Sequence, residues 1–127
     1  MRKVVMIGIA LLLSLSLSPL FSAAQTVKQK EIIIENDAKI AEYKKWLEQV
    51  GAKGLNYWSR LDSTHRPHRL YVGEGFQKAD YTEKERFIEI FSCYLAGAPD
   101  KNMLIDIYDA STGKAIGEYG FGGFRLF

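Results

Sequence analysis

Apolar residues recur along this chain with two different periods, and the change of period separates predicted helices from predicted strands. Over residues 37–50 the helical period predicts a helix, with Asn36 as a possible N-cap and Gly51 as its end. Residues 31–35 contain three consecutive isoleucines, which favour a strand by propensity. Because Ile33 also continues the apolar stripe of the helix, the sequence does not decide whether residues 31–35 form a strand or a helix.

The clearest predicted helix begins near Thr82. Thr82 and Glu85 have the spacing of a capping box, in which a hydroxyl and a carboxylate satisfy free N–H groups at the helix N-terminus. Gly97, followed closely by proline, is a typical helix end. An apolar stripe at helical spacing lies between these signals, formed by Phe87, Ile88, Phe91, Tyr94 and Leu95.

Three later segments, residues 69–76, 103–110 and 115–127, are predicted as strands, and residues 51–67 as an irregular connection. The turn at residues 109–114 contains aspartate and glycine, which suit a hairpin. A right-handed crossover makes the first two strands parallel, and the hairpin adds an antiparallel third. The predicted fold is therefore α+β, with a small three-stranded mixed sheet and two helices in the order α-β-α-β-β.

The first residues of the chain follow a different pattern from the rest. A basic start, an apolar run and the small residues before Gln25 are typical of a secretory signal peptide. We therefore expect a signal peptide at residues 1–24 and a single small exported α+β domain at residues 25–127, periplasmic or secreted from a bacterium. The apolar run is shorter than the roughly 20 residues of a membrane-spanning helix. No stable membrane insertion is expected after cleavage.

Charge and cysteine content narrow the possible function classes. The chain has 17 Lys+Arg and 15 Asp+Glu, and both charges of the predicted signal peptide, Arg2 and Lys3, are basic. The exported domain is therefore neutral, which excludes a polybasic nucleic-acid binder, and its length excludes a multidomain enzyme. The single cysteine, Cys93, lies in the apolar part of the second predicted helix. We expect it to be a core residue and not an activated thiol.

The densest polar cluster is the segment of residues 60–69. Guanidinium groups in it could bind a carboxylate or phosphate through paired N–H donors. The alternative is that these arginines form ion pairs with the acidic residues of positions 81–127. The candidate residues for binding an anion or a partner are Arg60, His65, Arg66, His68 and Arg69.

The same segment also suggests a metal site. Two imidazoles, His65 and His68, with the carboxylate of Asp62 could hold a transition metal with an open position. Against this, Pro67 favours an extended backbone, on which residues three apart point to opposite sides. We therefore assign no catalytic residue, metal or cofactor, and a small metal-dependent enzyme stays the alternative function.

The glycine-rich C-terminal segment contains four aromatic residues, Tyr119, Phe121, Phe124 and Phe127. We expect them to fill the core, and the alternative is an exposed edge that binds a partner strand. The leading functional expectation is a soluble, non-catalytic, exported domain of the cell envelope. Such a domain would bind a protein partner or a small anionic ligand.

Overall fold

The computed structural model describes residues 30–127, of which residues 30–35 belong to a first unit and Asn36–Phe127 form a second, compact unit. Helix α1 covers residues 30–49. In the first unit, residues 30–35 are helical and exposed, so this segment is not a strand. Asn36 lies inside α1 and is not its N-cap. The expected signal peptide lies outside the described residues.

The second unit continues through two more helices and five strands. In chain order they are β1 (Trp58–Asp62), β2 (His68–Val72), α2 (Glu74–Lys78), α3 (Tyr81–Ala96), β3 (Ile105–Asp109), β4 (Ala115–Gly120) and β5 (Gly123–Leu126). The strands form one sheet in the order β1-β2-β3-β4-β5. Strands β2 and β3 are parallel and the other neighbours are antiparallel, so the predicted α+β class and mixed sheet are confirmed.

Two strands were missing from the sequence-based expectation. Strand β1 lies in the segment predicted as irregular, and an extra residue, Ser59, interrupts its register with β2. The C-terminal segment is two strands, because the chain turns between Gly120 and Gly123, and Gly123 has a φ of 88°. The sheet therefore has five strands, where three were predicted. No helix within residues 30–127 is long and apolar enough to cross a membrane.

The predicted strand at residues 69–76 is also shorter than expected. It ends at Val72, and Phe76 lies in α2 with 1 % of its surface exposed. Gly73 and Gly75 lie against the backbone of Leu55 and Asn56, which a Cβ atom at either glycine would strike. The close approach of this loop explains why both positions are glycine.

The core lies between one face of the sheet and the helices of the second unit. Leu70 and Val72 of β2 and Ile105 and Ile107 of β3 are fully buried on that face. They pack in one cluster with Phe87, Ile88 and Phe91 of α3 and with Leu47 and Val50 from the end of α1. Burial of these large side chains supplies the main driving force for folding.

The terminal aromatic residues are only partly in this core. Phe124 is 7 % exposed, whereas Phe121 is fully exposed and Phe127 is 70 % exposed. Tyr119 is half-buried and packs against the cluster. The expectation of a core position is therefore wrong for Phe121 and Phe127.

Helix α3 begins earlier than the sequence suggested. Its N-cap is Asp80, whose carboxylate accepts a 2.8 Å hydrogen bond from the backbone N–H of Glu83. Thr82 lies inside the helix, so the predicted capping box at Thr82 and Glu85 is wrong. The predicted end is confirmed, because Gly97 has a φ of 77° and its N–H bonds to carbonyls of the last turn.

Candidate functional site

The face of the sheet opposite the core carries charged and aromatic side chains. Since side chains alternate along a strand, Arg69 and Tyr71 point away from the face that holds Leu70. One row of register partners crosses all five strands and carries a charged residue on each, three acidic and two basic. It consists of Asp62, Arg69, Asp106, Glu118 and Arg125.

A second row on this face joins an arginine to two tyrosines. Arg60 is the register partner of Tyr71, and Tyr71 is the partner of Tyr108. The two tyrosine rings lie 5.5 Å apart between centroids, with an angle of 32° between their planes. The guanidinium carbon of Arg60 lies 4.0 Å from the Tyr71 centroid, and that of Arg69 lies 5.2 Å from the Tyr108 centroid. We call these four residues the arginine–tyrosine platform.

Neither arginine of the platform forms an ion pair with a carboxylate in the described residues. None of the ion pairs among residues 30–127 includes Arg60 or Arg69. Arg69 has an aspartate as register partner on each side, Asp62 and Asp106, yet its guanidinium group lies over Tyr108. The alternative in which these arginines pair with acids of positions 81–127 therefore receives no support from the described contacts.

Asp62 interacts mainly with the turn that follows β1. Hydrogen bonds from the hydroxyl and the backbone N–H of Thr64 lower the pKa of the Asp62 carboxyl, and the charges of His65 and Arg60 lower it further. The carboxylate is therefore charged at neutral pH. It borders the platform as a fixed negative group.

The other cationic candidates lie in the turn between β1 and β2. Arg66 donates hydrogen bonds to the carbonyl oxygens of Ser63 at 2.7 Å and His65 at 3.1 Å. The Nε2 atom of His65 lies 3.7 Å from Oδ2 of Asp62, and the His65 side chain is half exposed. These contacts fix the turn and do not bring Arg66 or His65 onto the platform.

His68 has a different environment from His65. It is 8 % exposed, lies on the core-facing side of β2, and has its Nδ1 atom 3.0 Å from Oγ of Ser63. Burial lowers the pKa of its imidazole, and the charge of Arg66 adds to this effect. Within residues 30–127, no group of three or more histidine, cysteine, aspartate or glutamate side chains is arranged to hold a metal ion.

Cys93 is half-buried near the C-terminal end of α3. Its thiol is 3.5 Å from the carbonyl oxygen of Pro99 and 3.6 Å from the Asn102 side-chain oxygen. Burial raises the pKa of the thiol, and the negative charges of Glu89 and Asp100 raise it further. A thiol that stays protonated is a poor nucleophile, so this environment does not activate it.

Sequence reasoning did not identify Tyr71 and Tyr108 as site residues. A signal was available, because each tyrosine comes two positions after a charged residue, in Arg69-Leu-Tyr71 and in Asp106-Ile-Tyr108. With the predicted parallel pairing of the two strands, that spacing places all four side chains on one face. The pairing register that brings the tyrosines together came only from the structure.

No protein-family model matches this chain, and neither does any curated protein or solved structure.

Proposed function

We propose that this protein is a non-catalytic binding domain that holds a small anionic ligand on the arginine–tyrosine platform. The observation that supports this proposal is the arrangement of Arg60 and Arg69, whose guanidinium groups lie on tyrosine rings and form no ion pair with a carboxylate in residues 30–127. A contact between a guanidinium group and an aromatic ring uses the charge of the group and occupies no hydrogen-bond acceptor, so the N–H donors stay available. Those donors match the geometry of a carboxylate or a phosphate.

The tyrosines hold the cations in place before the ligand arrives. Contact with the rings of Tyr71 and Tyr108 limits the rotamers of both arginines, so less conformational entropy is lost when the ligand binds. The same rings offer an apolar surface to the carbon skeleton of the ligand. The proposed ligand therefore combines an oxyanion with a flat or aliphatic portion.

The neighbouring charged row limits where an anion can lie. Asp62 and Asp106 flank Arg69 in that row, and Glu118 accepts a 2.6 Å hydrogen bond from Arg125. Carboxylates repel a second anion at close range. A small anion is therefore directed to the row of Arg60, Tyr71 and Tyr108. Binding of an extended polyanion such as a nucleic acid is disfavoured.

The proposed location of the protein is the bacterial periplasm or the cell exterior. Its basis is the signal-peptide pattern of residues 1–24, with the domain acting after cleavage.

The test is a binding titration followed by amide chemical shifts, with benzoate, citrate and inorganic phosphate as separate probes. We expect at least one probe to shift the amides around Tyr71 and Tyr108. Arg60→Gln and Arg69→Gln should each weaken binding about 10- to 100-fold, since one charge-assisted hydrogen bond is worth roughly 1.5–3 kcal/mol. The proposal fails when none of the three probes binds.

The matched control is Arg66→Gln, which removes an arginine side chain from the adjacent turn and not from the platform. Because Arg66 donates to backbone carbonyls of that turn, its loss should leave probe affinity within about twofold. An equal loss of affinity in Arg66→Gln would mean that the probes respond to general charge and not to the platform. The proposal would be rejected on that result as well.

A further inference from the structure

Phe121 is the most exposed large apolar side chain in the described part of the chain. It is 100 % exposed at the turn between β4 and β5, where Gly120 and Gly122 flank it. Single exposed apolar residues are common, but a fully exposed phenyl ring is an apolar group available to a partner. The turn therefore projects one benzene-sized group into the solvent.

A groove of matching size lies at the other end of the sheet. It has a volume of about 180 Å³ and is lined mainly by Leu47, Trp58, Leu61, Phe91 and Tyr94. A dry apolar cavity of about 150 Å³ is large enough to bind benzene. The groove can therefore hold one phenyl ring.

The wall of this groove is preformed. The indole Nε1 of Trp58 donates a 2.8 Å hydrogen bond to the carbonyl oxygen of Leu47, and the Trp58 ring packs edge-on against Phe91 at 5.0 Å between centroids. Both contacts fix the indole in one orientation. A ring that enters the groove meets an ordered apolar surface and need not reorganise it.

The topology separates the exposed phenylalanine from the groove. Trp58 and Leu61 belong to β1 at one edge of the sheet, and Phe121 adjoins β5 at the opposite edge. Four strand spacings separate these edges, which is about 20 Å. Phe121 therefore cannot fill the groove of its own chain, whereas the Phe121 of a second copy can.

We propose that this protein associates head to tail, with Phe121 of one copy inserted into the groove formed by Trp58, Leu61 and Phe91 of the next copy. The contact involves two different surfaces, so it is heterologous and leaves a free Phe121 at one end and a free groove at the other. Association can then continue beyond a dimer. The proposal does not involve the arginine–tyrosine platform and is independent of the proposed function.

Side-chain insertion fits the end of the sheet better than strand pairing does. The hydroxyl of Tyr81 donates a 3.2 Å hydrogen bond to the carbonyl oxygen of Phe124, which occupies a main-chain acceptor of the edge strand β5. The groove rim carries Lys44 and Glu48, and Glu118 and Arg125 lie near Phe121. Each surface thus has one charge of either sign, and neither repels the other.

The test is sedimentation velocity of the purified protein over a wide range of concentrations. We expect the average mass to rise continuously past that of a dimer. Phe121→Ser removes the inserted ring, and Leu61→Glu places a charge in the groove wall. Each variant alone should stay monomeric at concentrations where the unchanged protein associates.

Mixing the two variants makes the test specific. Phe121→Ser keeps an intact groove and Leu61→Glu keeps an intact Phe121, so an equimolar mixture should form a one-to-one dimer and nothing larger. A mixture that stays monomeric, or an unchanged protein that is monomeric at every concentration, would overturn the proposal. Because Leu61→Glu could impair folding, Glu48→Trp at the exposed rim serves as a second groove-blocking variant with the same expected result.

The control for general surface adhesion is Leu55→Ser, which removes another apolar side chain that is 60 % exposed. Leu55 lies outside both proposed surfaces, so association should be unchanged. If Leu55→Ser reduces association as much as Phe121→Ser does, nonspecific adhesion accounts for it and the head-to-tail contact is rejected.

Discussion

The guanidinium carbon of Arg60 lies 4.0 Å from the ring centroid of Tyr71, its register partner in the adjacent strand. The contact joins the edge strand β1 to the sheet and at the same time holds a cation on the open face. One interaction therefore serves both the stability of the hairpin and the proposed binding of an anion. At exposed positions a contact of this kind contributes about 0.5–1 kcal/mol.

A double-mutant cycle with Arg60→Gln and Tyr71→Leu measures this contact directly. We expect a coupling energy of about 0.5–1 kcal/mol in the free energy of unfolding, measured by urea denaturation. Arg66→Gln combined with Tyr71→Leu is the matched control, and its coupling should be close to zero because Arg66 bonds to the turn. Equal coupling in the two cycles would show that the measured coupling does not come from the Arg60–Tyr71 contact.

The N-cap of α3 gives a second prediction. Asp80→Ala removes the acceptor for the N–H of Glu83 and should lower the free energy of unfolding by about 1 kcal/mol. Thr82→Ala is the control, and we expect it to change stability by only a few tenths of a kcal/mol, because Thr82 is an exposed residue inside the helix. Chemical denaturation of both variants separates the two assignments. A larger loss for Thr82→Ala would contradict the assignment of Asp80.

The sequence contains two overlapping signals for the start of this helix. Asp80 and Glu83 have the spacing of a capping pair, and so do Thr82 and Glu85. The apolar stripe that follows is compatible with both starts, because helical periodicity fixes which face is buried and not where the helix begins. The backbone shows which signal marks the start of the helix, because it is extended at Asp80 and helical from Tyr81 onwards.

Elements with strong local periodicity were predictable, whereas elements that depend on pairing were not. The parallel pairing of β2 and β3 follows from two apolar strands and the helix between them. Strand β1 has no such pattern, because it is a half-exposed edge strand with a bulge at Ser59. Arg60 was therefore identified as a candidate from its charge alone. Its contact with Tyr71 depends on a strand that the sequence did not reveal.

The environment of His68 predicts a dependence of stability on pH. Burial lowers its pKa in the folded protein, so the unfolded chain binds the proton first as the pH falls. The free energy of unfolding should therefore decrease as the pH falls through the ordinary histidine pKa of about 6.5. Urea denaturation at pH 8 and pH 5 measures this decrease.

His68→Gln should remove most of this decrease, whatever it does to stability at pH 8. The matched control is His65→Gln, which changes an imidazole that is half exposed in the neighbouring turn. We expect the control to keep the decrease seen in the unchanged protein. If the decrease survives in His68→Gln and disappears in His65→Gln, His65 causes the pH dependence and the prediction for His68 is wrong.

The last prediction separates the two phenylalanines at the C-terminal hairpin. Phe124 is 7 % exposed, its ring lies 5.3 Å from that of Tyr81, and its carbonyl oxygen accepts the Tyr81 hydroxyl. Replacing a buried phenylalanine with alanine costs about 3–5 kcal/mol, against a total stability of about 5–15 kcal/mol. Phe124→Ala should therefore lower the melting temperature strongly or prevent folding.

Phe121→Ser is the control for Phe124→Ala, because its ring is fully exposed and makes no contribution to the core. At protein concentrations low enough to keep the chain monomeric, its melting temperature should equal that of the unchanged protein. Thermal denaturation of the two variants side by side gives the comparison. Similar losses in both would place Phe121 in the folding core and would also remove the basis for its insertion into a second copy.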